Sequence, residues 1–264
     1  MAPSKTALHV TVLGEGEPVL LIHGSLTYGD PADDDWPKQR PLAEHYQLLM
    51  PARRGYGESP ARPPGYGFAE ESDELARLLG DGAHLVGFSY GGFLALLMAA
   101  KRPEAVRSLT LIEPAALSIG RGNPDVEAFI ARMRPICPAP PGMTSEEFLL
   151  AFRRALRALP PDTPLDLTDE DRQNLTSDLG RRGVEATMRE QPQWEAEIPL
   201  DILAAAPFPR LIFSGGWSPT LDTIGDVLEA QLHAERVVVA GACHAVQLTG
   251  QPFNERLQAF LSAA

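Results

Sequence analysis

The stretch Gly87-Phe88-Ser89-Tyr90-Gly91 is the most informative part of this chain, because it places a serine between two kinds of secondary structure. It follows an apolar run at residues 83–86, which predicts a strand, and leads into Gly92-Phe93-Leu94-Ala95-Leu96-Leu97-Met98, which predicts a helix. A Gly-x-Ser-x-Gly turn lifts the serine hydroxyl clear of the backbone, and the following helix N-terminus favours negative charge. The pattern predicts that Ser89 is a nucleophile. The alternative is a glycine-rich turn that only packs a helix on a strand.

The composition indicates one large α/β domain, or a core with a modest insertion. The chain has 264 residues, and its 44% hydrophobic content is enough for a sizeable core. Lys plus Arg total 23 against 35 Asp plus Glu, which gives a formal charge of −12. Nucleic acids and anionic membranes attract positive surfaces, so neither is expected as a partner.

The cysteine, histidine and hydropathy patterns predict no metal, no cofactor and no membrane segment. Cys137 and Cys243 are too few for a disulfide framework, and the six histidines lack metal-ligand spacing. Residues 1–6 have no hydrophobic signal core, and the longest apolar run, residues 93–100, is too short to cross a bilayer. We therefore expect a cytoplasmic protein.

Short apolar runs alternate with helical patterns, which predicts a mostly parallel, doubly wound α/β sheet with helices on both faces. Runs such as Val19-Leu20-Leu21-Ile22 are continuously apolar, as in strands that are buried on both faces. The predicted strands are residues 8–13, 19–22, 46–50, 83–88, 106–112, 210–213 and 236–240. The predicted helices are residues 69–79, 92–101, 221–232 and 252–261.

We predict that residues 115–206, here called the insertion, form a helical cap. Residues 1–114 and 207–264 are predicted to form the core. Strand-like runs disappear in the insertion, Thr144 and Glu147 have capping-box spacing, and Thr168 marks a second helix start. Insertions at the carboxyl ends of strands commonly form lids over ligand sites. Apolar side chains available to line such a site are Phe129, Met133, Phe148, Phe152, Met188 and Trp194.

Two backbone N–H groups are candidates for an oxyanion hole. The strand at residues 19–22 ends in His23-Gly24-Ser25-Leu26, where glycine permits the chain to approach a pocket closely. We predict that the amides of Ser25 and Tyr90 hold the oxyanion, with Leu26 as the alternative to Ser25. His23 itself is interpreted as a structural hydrogen-bonding residue.

His244 is the best candidate for the general base. It follows the strand-like run Val237-Val238-Val239 and a short glycine-containing loop, which places it at the same sheet edge as Ser89. Its neighbour Cys243 is interpreted as a small buried residue.

The carboxylate that would orient His244 is ambiguous. The segment after the strand at residues 210–213, Ser214-Gly215-Gly216-Trp217-Ser218-Pro219, has no acid. Glu113 ends the strand beside that of Ser89, and Pro114 predicts an extended backbone there. Glu113 is therefore favoured. Asp222 and Asp226 are alternatives, although both are interpreted as first-turn helix acids, and a site without the acid also remains open.

In these motifs and in their order along the chain, the sequence resembles the α/β-hydrolase superfamily. The residues that carry the resemblance are His23-Gly24, Arg54-Gly55-Tyr56-Gly57-Glu58-Ser59, Gly87-Phe88-Ser89-Tyr90-Gly91, Glu113 and His244. The resemblance implies an eight-stranded type of sheet, a helical cap and the order serine, acid, histidine. The family usually has aspartate where Ser218 stands, and zearalenone-lactonase-like members, which move the acid to the preceding strand, are similar to this layout. Ala52 also replaces an aspartate common in the family.

The nucleophile and the resemblance together predict a metal-free serine hydrolase of a carboxylic ester or lactone, with a medium-sized apolar substrate. Dehalogenases and epoxide hydrolases of this fold carry aspartate where Ser89 stands, so neither activity is expected. The alternatives are a C–C bond hydrolase, a thioesterase, and a cofactor-free lyase or perhydrolase. A receptor-like binding protein with weak catalysis is an alternative from a different class.

Overall fold

Seven strands form a single sheet in the order β1-β3-β2-β4-β5-β6-β7 in the computed structural model, which describes residues 7–160 and 163–264. All neighbouring strands are parallel except β1 and β3. Residues 1–6, for which the sequence predicts no signal core, lie outside the described residues. The strands are β1 Val10–Leu13, β2 Glu17–Ile22, β3 Tyr46–Pro51, β4 Ala83–Phe88, β5 Val106–Ile112, β6 Arg210–Ser214 and β7 Glu235–Val238.

Helices cover both faces of the sheet, which confirms the predicted fold class. They are α1 Pro31–Asp34, α2 Phe68–Ala76, α3 Tyr90–Lys101, α4 Pro124–Met133, α5 Ser145–Leu156, α6 Asp169–Thr176, α7 Asp178–Met188, α8 Leu200–Ala205, α9 Pro219–Leu232 and α10 Gln251–Leu261. Each predicted strand and helix has a counterpart whose ends differ by at most two residues, except that 3₁₀ geometry at Arg77–Leu79 replaces the end of the predicted helix at residues 69–79. The described sheet has seven strands, one fewer than the resemblance implied.

The continuous apolar strands are buried on both faces, as the sequence predicted. In β2, Leu20 and Ile22 pack into the apolar cluster on one face, with α2, α3 and α9. Val19 and Leu21 pack into the cluster on the opposite face, with α10. This arrangement explains why β2 is not an alternating strand: both sets of side chains are removed from water.

The chain order reverses beside β2, and this reversal positions the functional site. From β2 the chain runs outward to β3 and then returns to β4 on the other side of β2. Ile22 and Gly87 are in register, so the segments that follow β2 and β4 leave the sheet side by side. In open parallel sheets, ligands bind at the carboxyl ends of the strands at such a switch point.

The insertion lies between β5 and β6 and contains helices α4 to α8. Thr144 and Thr168 cap the N-termini of α5 and α6, as their spacing predicted. Helix α4 packs against α5 and α9, whereas α8 packs against α3 and α9 and so covers the core. None of the helices within residues 7–160 and 163–264 is long and apolar enough to span a membrane.

Candidate active site

Ser89 lies on a strained turn between β4 and α3. Its backbone has φ 52° and ψ −118°, a conformation that costs about 1–3 kcal/mol for a residue other than glycine. The Ser89 N–H donates to Ile112 O at 2.9 Å, which ties the turn to β5. At Gly91, a Cβ atom would lie 2.2 Å from Ile22 O, so the turn accepts no side chain there. The glycine spacing in the sequence therefore reflects a close approach to β2.

The structure brings His244 into contact with Ser89. The His244 Nε2 atom lies 3.0 Å from Ser89 Oγ. The imidazole packs beside the Phe88 ring, with 5.0 Å between ring centroids, and beside the indole of Trp217. One quarter of the His244 side chain is exposed, so a ligand or water can reach it.

Glu113 lies on the other side of the imidazole. Its Oε2 atom is 3.4 Å from His244 Nδ1 and accepts a hydrogen bond from Trp217 Nε1 at 2.8 Å. Its Oε1 atom accepts the Gly215 N–H at 2.7 Å. The carboxylate is 2% exposed. Two N–H groups therefore donate to the carboxylate, and its position beside Nδ1 favours the tautomer in which Nδ1 carries the proton and Nε2 faces Ser89.

The prediction of an extended backbone at Glu113 was wrong. Its φ is 44°, in the left-handed region. The Glu113 N–H still donates to Phe213 O at 3.0 Å, so the chain bends only after the last ladder contact with β6. The bend directs the carboxylate toward Gly215 and Trp217, whose hydrogen bonds offset the backbone strain.

The alternative acids have other partners. Asp222 lies in the first turn of α9, as predicted, and pairs with Arg236 at 2.8 Å. Asp226 lies beyond that first turn, contrary to the prediction, and pairs with the same arginine. Ser218 caps α9 and lines the site cavity.

Ser25 and Tyr90, the predicted oxyanion donors, line one cavity together with Ser89 and His244. Tyr90 is the first residue of α3, a position whose N–H has no acceptor within the helix. A Cβ atom on Gly24 would lie 3.1 Å from Ser89 Cβ, which shows how closely the segment after β2 passes the nucleophile. The amide of Leu26, the alternative donor, is bonded to Thr187 Oγ1 at 3.0 Å.

His23 has the structural role that the sequence indicated. Its Nε2 atom accepts the Arg53 N–H at 2.9 Å, so its proton lies on Nδ1, which faces Gly24 O and Thr27 Oγ1. Complete burial, reinforced by the nearby Arg53 charge, holds the pKa of His23 well below its usual value. His23 is therefore neutral and fixed between two loops.

The cavity above Ser89 has a volume of about 170 Å³. Of the apolar side chains proposed as its lining, Phe129, Met133 and Phe152 contact it. Phe148 and Met188 instead belong to a separate apolar cluster formed mainly by the insertion, and Trp194 is buried in the main core. The lining is completed by Leu26, Phe88, Ala115, Leu117, Cys137, Leu156, Glu190, Gln191, Gln193, Ser218 and Leu221.

The two cysteines lie in different surroundings. Burial raises the pKa of Cys137 to about 12, so this cavity-lining thiol stays protonated and is a poor nucleophile. Cys243 is exposed, contrary to the prediction that it is buried, because the loop before His244 turns it outward with φ 54°. Within the described parts of the chain, no three His, Cys, Asp or Glu side chains are grouped as metal ligands would be.

Glu190 was not predicted from the sequence. This carboxylate extends from the insertion into the cavity and accepts a hydrogen bond from Ser25 Oγ at 2.5 Å. The buried guanidinium of Arg53 donates to its other oxygen at 2.7 Å. Glu190 stands after α7 between the exposed residues Arg189 and Gln191, and no local pattern in the sequence distinguishes it from them.

The fold and the serine turn agree with the comparison to known families. The sequence model of the alpha/beta hydrolase fold matches residues 17–251, so the chain belongs to that family. The family and its relatives support a hydrolase.

Three curated relatives match the chain over part of their length. An AB hydrolase superfamily protein of Gibberella zeae is 39% identical over 36% of this chain and 34% of its own. Lipase LipV of Mycobacterium tuberculosis is 36% identical over 47% of this chain and 48% of its own. The 2-hydroxy-6-oxo-2,4-heptadienoate hydrolase of Pseudomonas putida is 36% identical over 40% of each. The chain thus spans about a third to a half of the relatives it matches.

Solved structures match almost the whole chain. An alpha/beta hydrolase from Sphaerobacter thermophilus has a TM-score of 0.65 and 25% identity, covering 96% of this chain and 95% of its own. A thermophilic esterase from Thermogutta terrifontis has a TM-score of 0.67 and 24% identity, covering 97% and 93%. At this identity the second similarity concerns the fold alone.

Proposed function

We propose that the protein is a serine hydrolase that cleaves neutral carboxylic esters or lactones through an acyl-enzyme. The observation that carries the proposal is the chain of contacts from Ser89 Oγ to His244 Nε2 at 3.0 Å and from His244 Nδ1 to Glu113 Oε2 at 3.4 Å. A hydroxyl, an imidazole and a buried carboxylate in this order are the groups that acyl transfer requires.

In the first half-reaction, Ser89 Oγ attacks the acyl carbon while His244 Nε2 takes the hydroxyl proton. The N–H groups of Ser25 and Tyr90 stabilise the oxyanion, each by about 3 kcal/mol of barrier lowering. The ester C–O bond then breaks, and His244 gives its proton to the departing alkoxide. In the second half-reaction, His244 activates a water molecule that attacks the acyl-enzyme and releases the acid and Ser89.

The cavity supports a neutral, apolar acyl group. Phe129, Met133, Phe152 and their apolar neighbours provide most of the lining. None of the described residues in that lining is Lys or Arg. Glu190 is an acidic side chain in the lining. A substrate carboxylate would meet an apolar wall with no cation in the described lining to pair with it, which is unfavourable.

Cleavage of a C–C bond is the second candidate, because the Pseudomonas putida relative is named for a heptadienoate substrate. Such a dienoate carries a carboxylate, for which the described cavity lining offers no cationic partner. The lining therefore favours a neutral ester over a dienoate.

Labelling and turnover test the proposal together. Wild type should gain one phosphonyl adduct on Ser89 from a fluorophosphonate, detected by intact mass and peptide mapping, and should hydrolyse 4-nitrophenyl esters. Ser89→Ala should lose both reactions while its circular dichroism and melting temperature stay close to wild type. An unlabelled Ser89 in folded protein would overturn the hydrolase proposal. If the protein turns over dienoates but not esters, C–C cleavage replaces ester hydrolysis as the proposed reaction.

A further inference from the structure

Four buried charged side chains run from the core to the insertion beside the candidate active site. Arg53, which is fully buried, donates from Nε to Glu71 Oε1 at 2.9 Å and from Nη2 to Glu190 Oε1 at 2.7 Å. Arg62 pairs with the other oxygen of Glu71. The four side chains form a charge chain in the order Arg62, Glu71, Arg53, Glu190, so two positive and two negative charges alternate and balance. A balanced set in which each carboxylate is paired with an arginine can be held away from water.

The far end of this charge chain reaches the loop after β2. Glu190 Oε2 accepts the Ser25 hydroxyl at 2.5 Å, and Arg53 Nη1 donates to Gly24 O at 2.8 Å. A third contact comes from Thr187, whose hydroxyl accepts the Leu26 N–H. Three consecutive residues of the loop are thus fixed by side chains, two of which come from the insertion.

We propose that Glu190 is a positioning residue that fixes the Ser25 amide for the oxyanion, an inference that rests on the function proposed above. An oxyanion donor acts only if its N–H is aimed beforehand at the place where charge develops. Because the Ser25 hydroxyl is hydrogen-bonded to Glu190, the orientation of the Ser25 backbone N–H is fixed as well. Arg53 neutralises Glu190, and the carboxylate can therefore lie close to the site without opposing the negative charge of the oxyanion.

A reading of Glu190 as a mere clamp for the insertion makes a different prediction. Loss of a clamp would lower stability, seen as a lower melting temperature, and would alter substrate entry, seen as a change in KM. A positioning residue affects kcat and the rate of phosphonylation, because both reactions place a developing charge in the oxyanion hole.

Ser25→Ala is the main test variant, because it removes the hydroxyl and keeps the backbone N–H. We expect its kcat for a 4-nitrophenyl ester and its fluorophosphonate labelling rate to fall by about tenfold to a hundredfold, with KM within about twofold. Ser25→Thr keeps a hydroxyl and should recover most of the loss. Glu190→Gln keeps only one acceptor oxygen, whereas Ser25 and Arg53 bond to different oxygens of the carboxylate. The kcat and the labelling rate of folded Glu190→Gln should therefore also fall.

Ser108→Ala is the matched control. Its hydroxyl also makes a short buried hydrogen bond, 2.7 Å to His84 Nδ1, but it lies in β5 away from the cavity. This variant should lower the melting temperature and leave the labelling rate unchanged. If Ser25→Ala labels at the wild-type rate, or loses rate without recovery in Ser25→Thr, the positioning role is refuted while the hydrolase proposal stands. If wild-type Ser89 is not labelled at all, the hydrolase proposal itself fails.

Discussion

Replacing Glu113 by glutamine tests the triad most directly, since it removes one charge and keeps the shape of the side chain. The wild-type carboxylate faces three donors, the N–H groups of Gly215, Trp217 and His244. A glutamine offers one oxygen and one NH₂ group. If the NH₂ takes the place of Oε2, it faces the N–H groups of Trp217 and His244; if it takes the place of Oε1, it faces the Gly215 N–H. In both orientations a buried N–H donor loses its acceptor, and the imidazole loses its charge partner.

The size of the effect follows from the geometry. During attack His244 becomes a cation 3.4 Å from the carboxylate. At an effective dielectric constant of about 20, two unit charges at this distance interact by about 5 kcal/mol. One quarter of the His244 side chain is exposed, which reduces this value, and we expect a loss of roughly 3–5 kcal/mol. The corresponding fall in kcat is roughly 10²–10⁴-fold.

The assay is the steady-state hydrolysis of a 4-nitrophenyl ester at pH 8, with circular dichroism to show that each variant is folded. Asp222→Asn is the control, because Asp222 pairs with Arg236 instead of the imidazole. Its kcat should stay within about threefold of wild type. A steep fall in Asp222→Asn together with a near-normal Glu113→Gln would refute the assignment and move the acid to α9.

Three further perturbations probe the turn, the buried charge and the cavity. Gly91→Ala should prevent stable folding, because the new Cβ would lie 2.2 Å from Ile22 O, whereas Gly29→Ala, whose nearest atom is 3.5 Å away, should melt like wild type; equal melting temperatures would contradict this. Burial raises the pKa of Asp35 from 3.8 to about 7, so the stability gained by protonating the folded state is present below about pH 4 and is lost as pH rises through about 7. In urea titrations the free energy of unfolding of Asp35→Asn should therefore exceed that of wild type by up to about 4 kcal/mol at pH 8, and the two values should converge near pH 4. A difference that does not change with pH would exclude the effect. Phe152→Ala enlarges the cavity and should raise the ratio of kcat/KM for decanoate over acetate nitrophenyl esters by about tenfold, and an unchanged ratio would show that the acyl chain lies elsewhere.

The sheet was predictable because its strands carry a strong pattern. β4 and β5 begin and end at the predicted residues, since both strands are rich in apolar residues and are almost entirely buried. The short edge strand β7 was placed less well, because its burial is partial and its apolar run continues into the following loop. Within the insertion, capping patterns located two helix starts. Asn123 before Pro124 and Ser177 cap α4 and α7, and these two signals were not used, whereas α8 has no side-chain cap.

The contact between Ser89 and His244 was predictable because both residues follow strand ends. Ser89 and His244 each stand just beyond the carboxyl end of a strand, and parallel strands bring such ends to one edge. The choice between Glu113 and Asp222 depended on which side chain turns toward the imidazole. That direction is set by the N–H groups of Gly215 and Trp217, which lie about a hundred residues away in sequence.

Contacts between distant segments were not predictable. Glu190 and Arg53 are 137 positions apart, and nothing in either local sequence indicates the other. A buried arginine has the same sequence signal as a solvated one, because burial is decided by the packing of the insertion on the core. The charged groups beside the proposed oxyanion donors therefore became visible only in the folded chain.

In the proposed triad the acid, Glu113, directly follows β5, which gives the loop after β6 a different task. In the family an aspartate usually stands at the place of Ser218, whereas here the loop supplies donors to Glu113. A Cβ atom on Gly215 would lie 1.8 Å from Cys243 O, so this loop packs directly against the one that carries His244. The same close contact therefore sets the place of the Gly215 N–H and of the imidazole. A shift of either loop would lengthen the Glu113 and His244 contact together with the His244 and Ser89 contact. The triad is consequently expected to form or separate as one unit rather than one pair at a time.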